Sequence, residues 1–109
     1  MYAIPMTKKR LLQIEKRIAT IKVKLTAIDE MRPGSLSRQF KDRVNQTGAY
    51  HQLSYTRAMR SRTEYIASDA VPEIRRQVAN YKRFKELSDE WVDLGIEHSR
   101  LKIKAARET

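Results

Sequence analysis

In "IRRQVANYKRFKELSDEWVDLGIEHSRL", residues 74–101, apolar or aromatic side chains recur at Ile74, Val78, Tyr81, Phe84, Leu87, Trp91, Leu94 and Leu101, with His98 in the same row. Steps of three and four are those of one helix face. Around Phe84, however, three steps of three follow one another. Such a stammer overwinds the seam locally, and it predicts one helix that changes partner at Phe84. "SDAVPEIRRQ" supplies the start: Ser68 or Asp69 as N-cap, Pro72 in the first turn where a missing N–H is harmless, and Glu73 near the positive end of the dipole. The helix is expected over 69–107.

A partner for its second half lies upstream. "LLQIEKRIATIKVKLTAI", residues 11–28, places Leu11, Ile18 and Leu25 at a positions and Ile14, Ile21 and Ile28 at d positions of a strict heptad seam. Thr7 is a competent N-cap, and "RPG" at 32–34 is a stop signal, so the first helix is expected over 7–31, about 37 Å at 1.5 Å per residue. Its seam is predicted to face Leu87, Trp91, Leu94, His98 and Leu101 in an antiparallel coiled coil. Two helices bury little, and Val23, Val92, Ile96 and Ile103 lie off the seam. A second copy of the chain completing a four-helix bundle is therefore expected, as a homodimer or higher homo-oligomer.

Between the helices the period changes. "SLSRQFK" (35–41), "AYHQLSYT" (49–56) and "SRTEYIA" (61–67) are short runs with aromatic and β-branched residues, separated by the turns "DRVNQTG" and "RAMR". They predict a three-stranded antiparallel meander over 35–67. In the second run Ala49, His51, Leu53 and Tyr55 share one face and Tyr50, Gln52, Ser54 and Thr56 the other, so one face is apolar enough to bury. The fold class is α+β in the order α–β–β–β–α, and 109 residues suit a single domain.

Twenty-three Lys and Arg against thirteen acids give a formal charge of +10 and raise the prior for a polyanionic partner. Residues 1–34 hold eight basic and three acidic side chains, residues 35–67 six and two, and residues 68–109 nine and eight. The excess sits in the first two thirds. In the strands and turns the cations are Arg38, Lys41, Arg43, Arg57, Arg60 and Arg62, five arginines to one lysine, interleaved with Tyr50, Tyr55 and Tyr65. Arginine suits bidentate contact with phosphate or guanine, and a twisted basic ribbon can enter a major groove or follow a backbone. The plainer alternative is that exposed strands carry charge for solubility. A second basic set, "KKR" at 8–10 with Lys16, Arg17, Lys22 and Lys24, reads as a solvated helix face.

Other chemistries find little footing. Without cysteine there is neither a disulfide framework nor a thiolate zinc site. Only His51 and His98 are present, and no Ser, His and acid share a spacing that builds a nucleophilic site. His98 reads as an interfacial histidine with a hydrogen-bond partner, and His51 as a packed or edge residue. Glu86, Asp89, Glu90, Asp93 and Glu97 could suggest a di-metal bundle, but the first helix supplies no matching carboxylates inside its seam. Asp89, Asp93 and Glu97 read instead as a solvated stripe that can pair with Lys or Arg of the first helix or of a second subunit. Three scattered glycines make no phosphate loop. The expectation is no enzyme, no cofactor, no metal and no small-molecule substrate. With no apolar run of bilayer length, and with "MYAIPMTKKR" unlike a signal peptide, no membrane contact and a cytoplasmic location are expected.

At "MRPGSLSRQF", "GAYHQLSYTRAMRSRTEYI" and "VPEIRRQVANYKRFKELSDEW" the chain resembles a family of short, uncharacterised prokaryotic proteins met near transposases and other mobile elements. Its members look like a helix, an "RPGSL" strand, a "YYYLS" strand, a "TRSRYV" strand and a long helix, matching residues 31–91 in order and spacing. Many carry a cysteine-rich insert after the first strand, where this chain has "KDRVNQTG" at 41–48, so the zinc that the family implies is not carried over. The element order is also similar to that of the double-stranded RNA-binding domain. That domain needs a lysine cluster opening its second helix, and Arg75 and Arg76 here stand behind two acids. The resulting expectation is a non-enzymatic nucleic-acid-binding accessory or regulatory protein of a mobile element, DNA ahead of RNA. The alternative is a coiled-coil adaptor, such as a phage or plasmid regulator, that docks an acidic protein.

Overall fold

The computed structural model describes residues 5–108. The order of elements is α1 (Met6–Thr26), β1 (Ser35–Asp42), β2 (Thr47–Arg57), β3 (Arg60–Ile66), a 3-10 turn (Ser68–Ala70) and α2 (Val71–Arg107), the α–β–β–β–α arrangement expected. The single domain expected from chain length divides into two compact units, Met1–Ile28 with Phe84–Thr109, and Asp29–Arg83. The division crosses α2 between Arg83 and Phe84, at the stammer in its apolar spacing.

In the helical unit α1 and α2 run antiparallel, as their side-chain pairs show. Arg10 bonds Glu97 and Arg17 bonds Glu90; on the other flank Glu15 meets His98, and the Lys22 ammonium lies 5.3 Å above the Trp91 ring. The two pairs on each flank are seven residues apart on both helices, the heptad period expressed as register. Between the flanks Ile14 and Ile21 have no exposed surface and Leu87 is buried, while Leu11, Ile18, Leu25, Leu94 and Leu101 are half-buried. Trp91, expected in the seam, stands at its edge, 37% exposed. Ile28 falls beyond the end of α1.

Three expected helix boundaries are corrected. No side chain caps the start of α1: Pro5 holds that position, Thr7 is already helical, and the Lys9 N–H donates to the Pro5 carbonyl. The helix ends at Thr26 instead of Met31. The reason lies in the other unit, where residues 29–32 are drawn onto the first turns of α2. Arg76 donates to Asp29 at 2.7 Å and Glu30 at 3.0 Å, Asn80 donates to Asp29 and to the Glu30 carbonyl, and the Arg32 N–H donates to the Gln77 carbonyl. Fixed partners there outweigh continuing the helix. At the start of α2, Ser68 and Asp69 form the 3-10 turn instead of a cap.

The sheet has the order β1-β2-β3, antiparallel throughout, with Leu36 opposite Leu53 and Leu53 opposite Glu64. Alternation then puts Leu36, Leu53, Tyr55 and Ile66 on one face. That face carries the core of this unit: Leu53, Ile66, Val71 and Ile74 are buried, with Leu36, Tyr55, Ala70 and Val78 packed against them. Gly34 leads into β1 at φ +136°, and a Cβ there would lie 2.8 Å from Leu53 Cδ1. Any other residue would be strained at this φ and would force the central core side chain to shift.

Candidate nucleic-acid interface

The sheet register distributes the six expected binding cations over the whole unit. Arg57 stands directly opposite Arg60, and Arg62 opposite Tyr55, at the β2–β3 end. Lys41 and Arg43 belong to the other end, where β1 turns into β2. Arg38 pairs with His51 in the middle of β1 and lies 5.3 Å over the Phe40 ring. Since β2 is 11 residues long, roughly 36 Å at 3.3 Å per residue, the two hairpin ends form separate basic tips. The faces differ as well: Arg38, Arg57, Arg60 and Arg62 share the face of Leu53, whereas Lys41 projects from the opposite one.

The β2–β3 tip breaks two local rules. A two-residue hairpin turn of type I′ needs positive φ at both positions, the reason Asn-Gly prevails there, yet Ala58 and Met59 hold φ of 53° and 63°. Met59, at the apex, is 98% exposed. Like charges directly opposite on neighbouring strands are also unfavourable, and Arg57 faces Arg60. Among the described residues, Lys41, Arg43, Arg57 and Arg60 form no ion pair.

The β1–β2 turn is ordered by its own side chains. Asp42 accepts hydrogen bonds from the Asn45 N–H and from Asn45 Nδ2, and the first of these chiefly holds its carboxyl below the usual carboxylate range. Gln46 and Gly48 take the positive φ that the turn requires. No cysteine is needed to fold the loop that "KDRVNQTG" occupies. Phe40, Lys41, Arg43, Tyr50 and Tyr65 line an open depression beside it.

Four other arginines are neutralised. Arg32 donates to Glu64 at 2.7 Å and lies 5.6 Å over the Tyr55 ring, while the Tyr55 hydroxyl donates to the same carboxylate at 2.9 Å. Arg32 first, then Tyr55, lowers the Glu64 pKa. Arg76 binds Glu73 at 2.6 and 3.1 Å besides Asp29 and Glu30, and this pairing, aided by Gln77, holds Glu73 down to about 2. Arg10 and Arg17 make bidentate contacts to Glu97 and Glu90 and depress both carboxyls. Of the expected stripe Glu97 thus pairs with the first helix, while Asp89 and Asp93 form no ion pair among the described residues and Glu90, outside that stripe, supplies the second partner.

Both histidines have structural surroundings: His98 Nε2 lies 3.2 Å from Glu15 Oε1, and His51 sits half-buried between Arg38 and Ile66. Among the described residues no three His or acidic side chains gather where a metal could be held. No helix among them is long and apolar enough to cross a membrane. Sequence reasoning passed over Arg32 and Arg76 as clamps, because Glu64, Asp29 and Glu30, which they bind, are distant from them in the chain. It also passed over the opposed Arg57–Arg60 pair, which "RAMR" reveals once the two middle residues are read as the whole turn. No protein-family model, curated protein or solved structure matches the chain.

Proposed function

We propose that the chain is a non-enzymatic nucleic-acid-binding protein, with DNA ahead of RNA, whose β2–β3 tip meets the phosphate backbone. The observation that carries this reading is the Arg57–Arg60 pair: two like charges held opposite each other across a turn of two positive-φ residues. Sequences break local rules without an internal compensation chiefly at functional sites. A polyanion supplies the compensation, since each phosphate neutralised releases condensed counterions. Arg62, on the same face, extends the basic tip.

The helical unit suits self-association. Its fully enclosed apolar side chains are few, and Val23, Val92, Ile96 and Ile103 stay exposed outside the seam. A second copy covering them would present two basic sheet units to one polymer, and mutual tethering of two sites raises avidity without new contacts. An accessory or regulatory role in a mobile element rests on the sequence resemblance alone.

The test is fluorescence anisotropy with labelled random-sequence duplex DNA at rising salt. Binding that weakens steeply with salt, and that Arg57→Ala with Arg60→Ala and Arg62→Ala largely removes, is the expected result. Undetectable binding at about 50 mM salt contradicts the reading and favours an adaptor whose basic tip docks an acidic protein.

A further inference from the structure

The sheet face turned away from α2 has a composition that neither the core nor the arginine tip explains. The register that sends Leu53 inward puts Gln39, Lys41, Tyr50, Gln52 and Tyr65 on the opposite face, with serine and threonine between them. Its hydroxyls pair across the strands, Ser54 with Thr63 at 3.4 Å and Thr56 with Ser61 at 3.0 Å. Tyr65, next to the last residue of β3, is 70% exposed, although a tyrosine on a solvated sheet face is a large apolar surface left in water. Since Gln52 stands opposite Tyr65, Tyr50 is its diagonal neighbour, roughly 7–8 Å away and within reach of a shared flat ligand. Both rings line the depression that Lys41 and Arg43 complete, and among the described residues neither cation has an ion-pair partner.

Resting on the polyanion reading above, we infer that this open face is a platform for unpaired nucleotides of a single strand. Bases stack on Tyr65 and Tyr50, phosphates meet Lys41 and Arg43, and the amides and hydroxyls of the face offer donors and acceptors to base edges. The charge matches: the strand residues on this face include no acid, and Lys41 stands on it with Arg43 beside it. Duplex DNA does not fit, because its bases have no free π-face to offer a ring standing on a sheet. A protein helix or second sheet would require an apolar face, and a bound peptide strand would use a sheet edge. The platform lies at the β1–β2 end, so it is separable from the Arg57, Arg60 and Arg62 tip.

The experiment is anisotropy with two probes, a short thymine-only single strand and a random-sequence duplex, on wild type, Tyr65→Ala, Tyr65→Phe and Lys41→Gln. Stacking worth about 1–3 kcal/mol per base predicts that Tyr65→Ala weakens the single strand about 5- to 150-fold. Tyr65→Phe should keep the affinity, and duplex binding should not change in either. Lys41→Gln should weaken the single strand without touching the core. The platform is overturned, with the arginine tip left standing, if wild type binds duplex but not single strand, or if Tyr65→Ala and Lys41→Gln bind the single strand as wild type does. Binding of neither probe overturns both readings.

Discussion

The helical unit and the sheet unit put their paired arginines to different uses. In the first, Arg10 and Arg17 lie against Glu97 and Glu90 with Nε and Nη2 of each engaged, one heptad apart, and their work is to set the register of two helices. In the second, Arg32 and Arg76 are equally well matched where they clamp the linker and the start of α2, but the strand tips hold cations without counterparts. Net charge alone would spread its explanation over all twenty-three basic residues. The pairing sets aside Arg10, Arg17, Arg32 and Arg76; among the described residues Arg75, Arg83, Arg100 and Arg107 form no ion pair either, so it is the opposition of Arg57 to Arg60 that marks the tip.

The comparison breaks most visibly if the helical seam is not a core. Ile21 has no exposed surface, and Ile21→Asp should destabilise that unit by several kcal/mol, because a charge would be buried without a partner. Urea denaturation measures it, and a midpoint equal to wild type would mean the seam is wet. In the sheet unit the matching test is Gly34→Ala, which combines a positive φ with a methyl 2.8 Å from Leu53 and should cost about 1–3 kcal/mol.

Much of this was open to sequence reading, for identifiable reasons. The alternation around Leu53 and the stammer at Phe84 are local patterns with a fixed geometric meaning, and both point to the elements found. The end of α1 was not legible, because Ile28 continues the heptad while Asp29 and Glu30 are claimed by Arg76 and Asn80, about fifty residues on. The candidate site was legible as a list of cations and not as a place. Composition does not tell that Lys41 and Arg57 stand at opposite ends of β2, since that depends on which residues form each turn.

The strain at the tip gives a smaller effect of opposite sign. Replacing Ala58 with Asn and Met59 with Gly should stabilise the protein by about 1 kcal/mol, since Asn-Gly accepts the positive φ values that Ala and Met resist. Thermal melting checks it. Duplex affinity should hold, because the arginines carry the binding; weaker binding would instead give Met59 a role of its own.

The smallest effect is expected from acid. Glu73 is held down to about 2 from an ordinary value near 4.5, so its pairing with Arg76 contributes stability above pH 4.5 that is lost as pH falls through about 2. Glu73→Gln should flatten that part of the stability profile, measured by denaturant titration across the window. An unchanged acid limb would mean that the exposed pairing contributes nothing measurable, a common outcome for surface ion pairs.

The most direct test of the division between paired and unpaired arginines is the salt slope of duplex DNA affinity, measured side by side for wild type and two variants. Changing Arg57, Arg60 and Arg62 to Ala should reduce the slope of log affinity against log salt by about one for each phosphate no longer neutralised. Changing Arg10 and Arg17 to Ala should leave it unaltered. Equal slopes in all three proteins, or a greater reduction from the helical pair, would contradict the account.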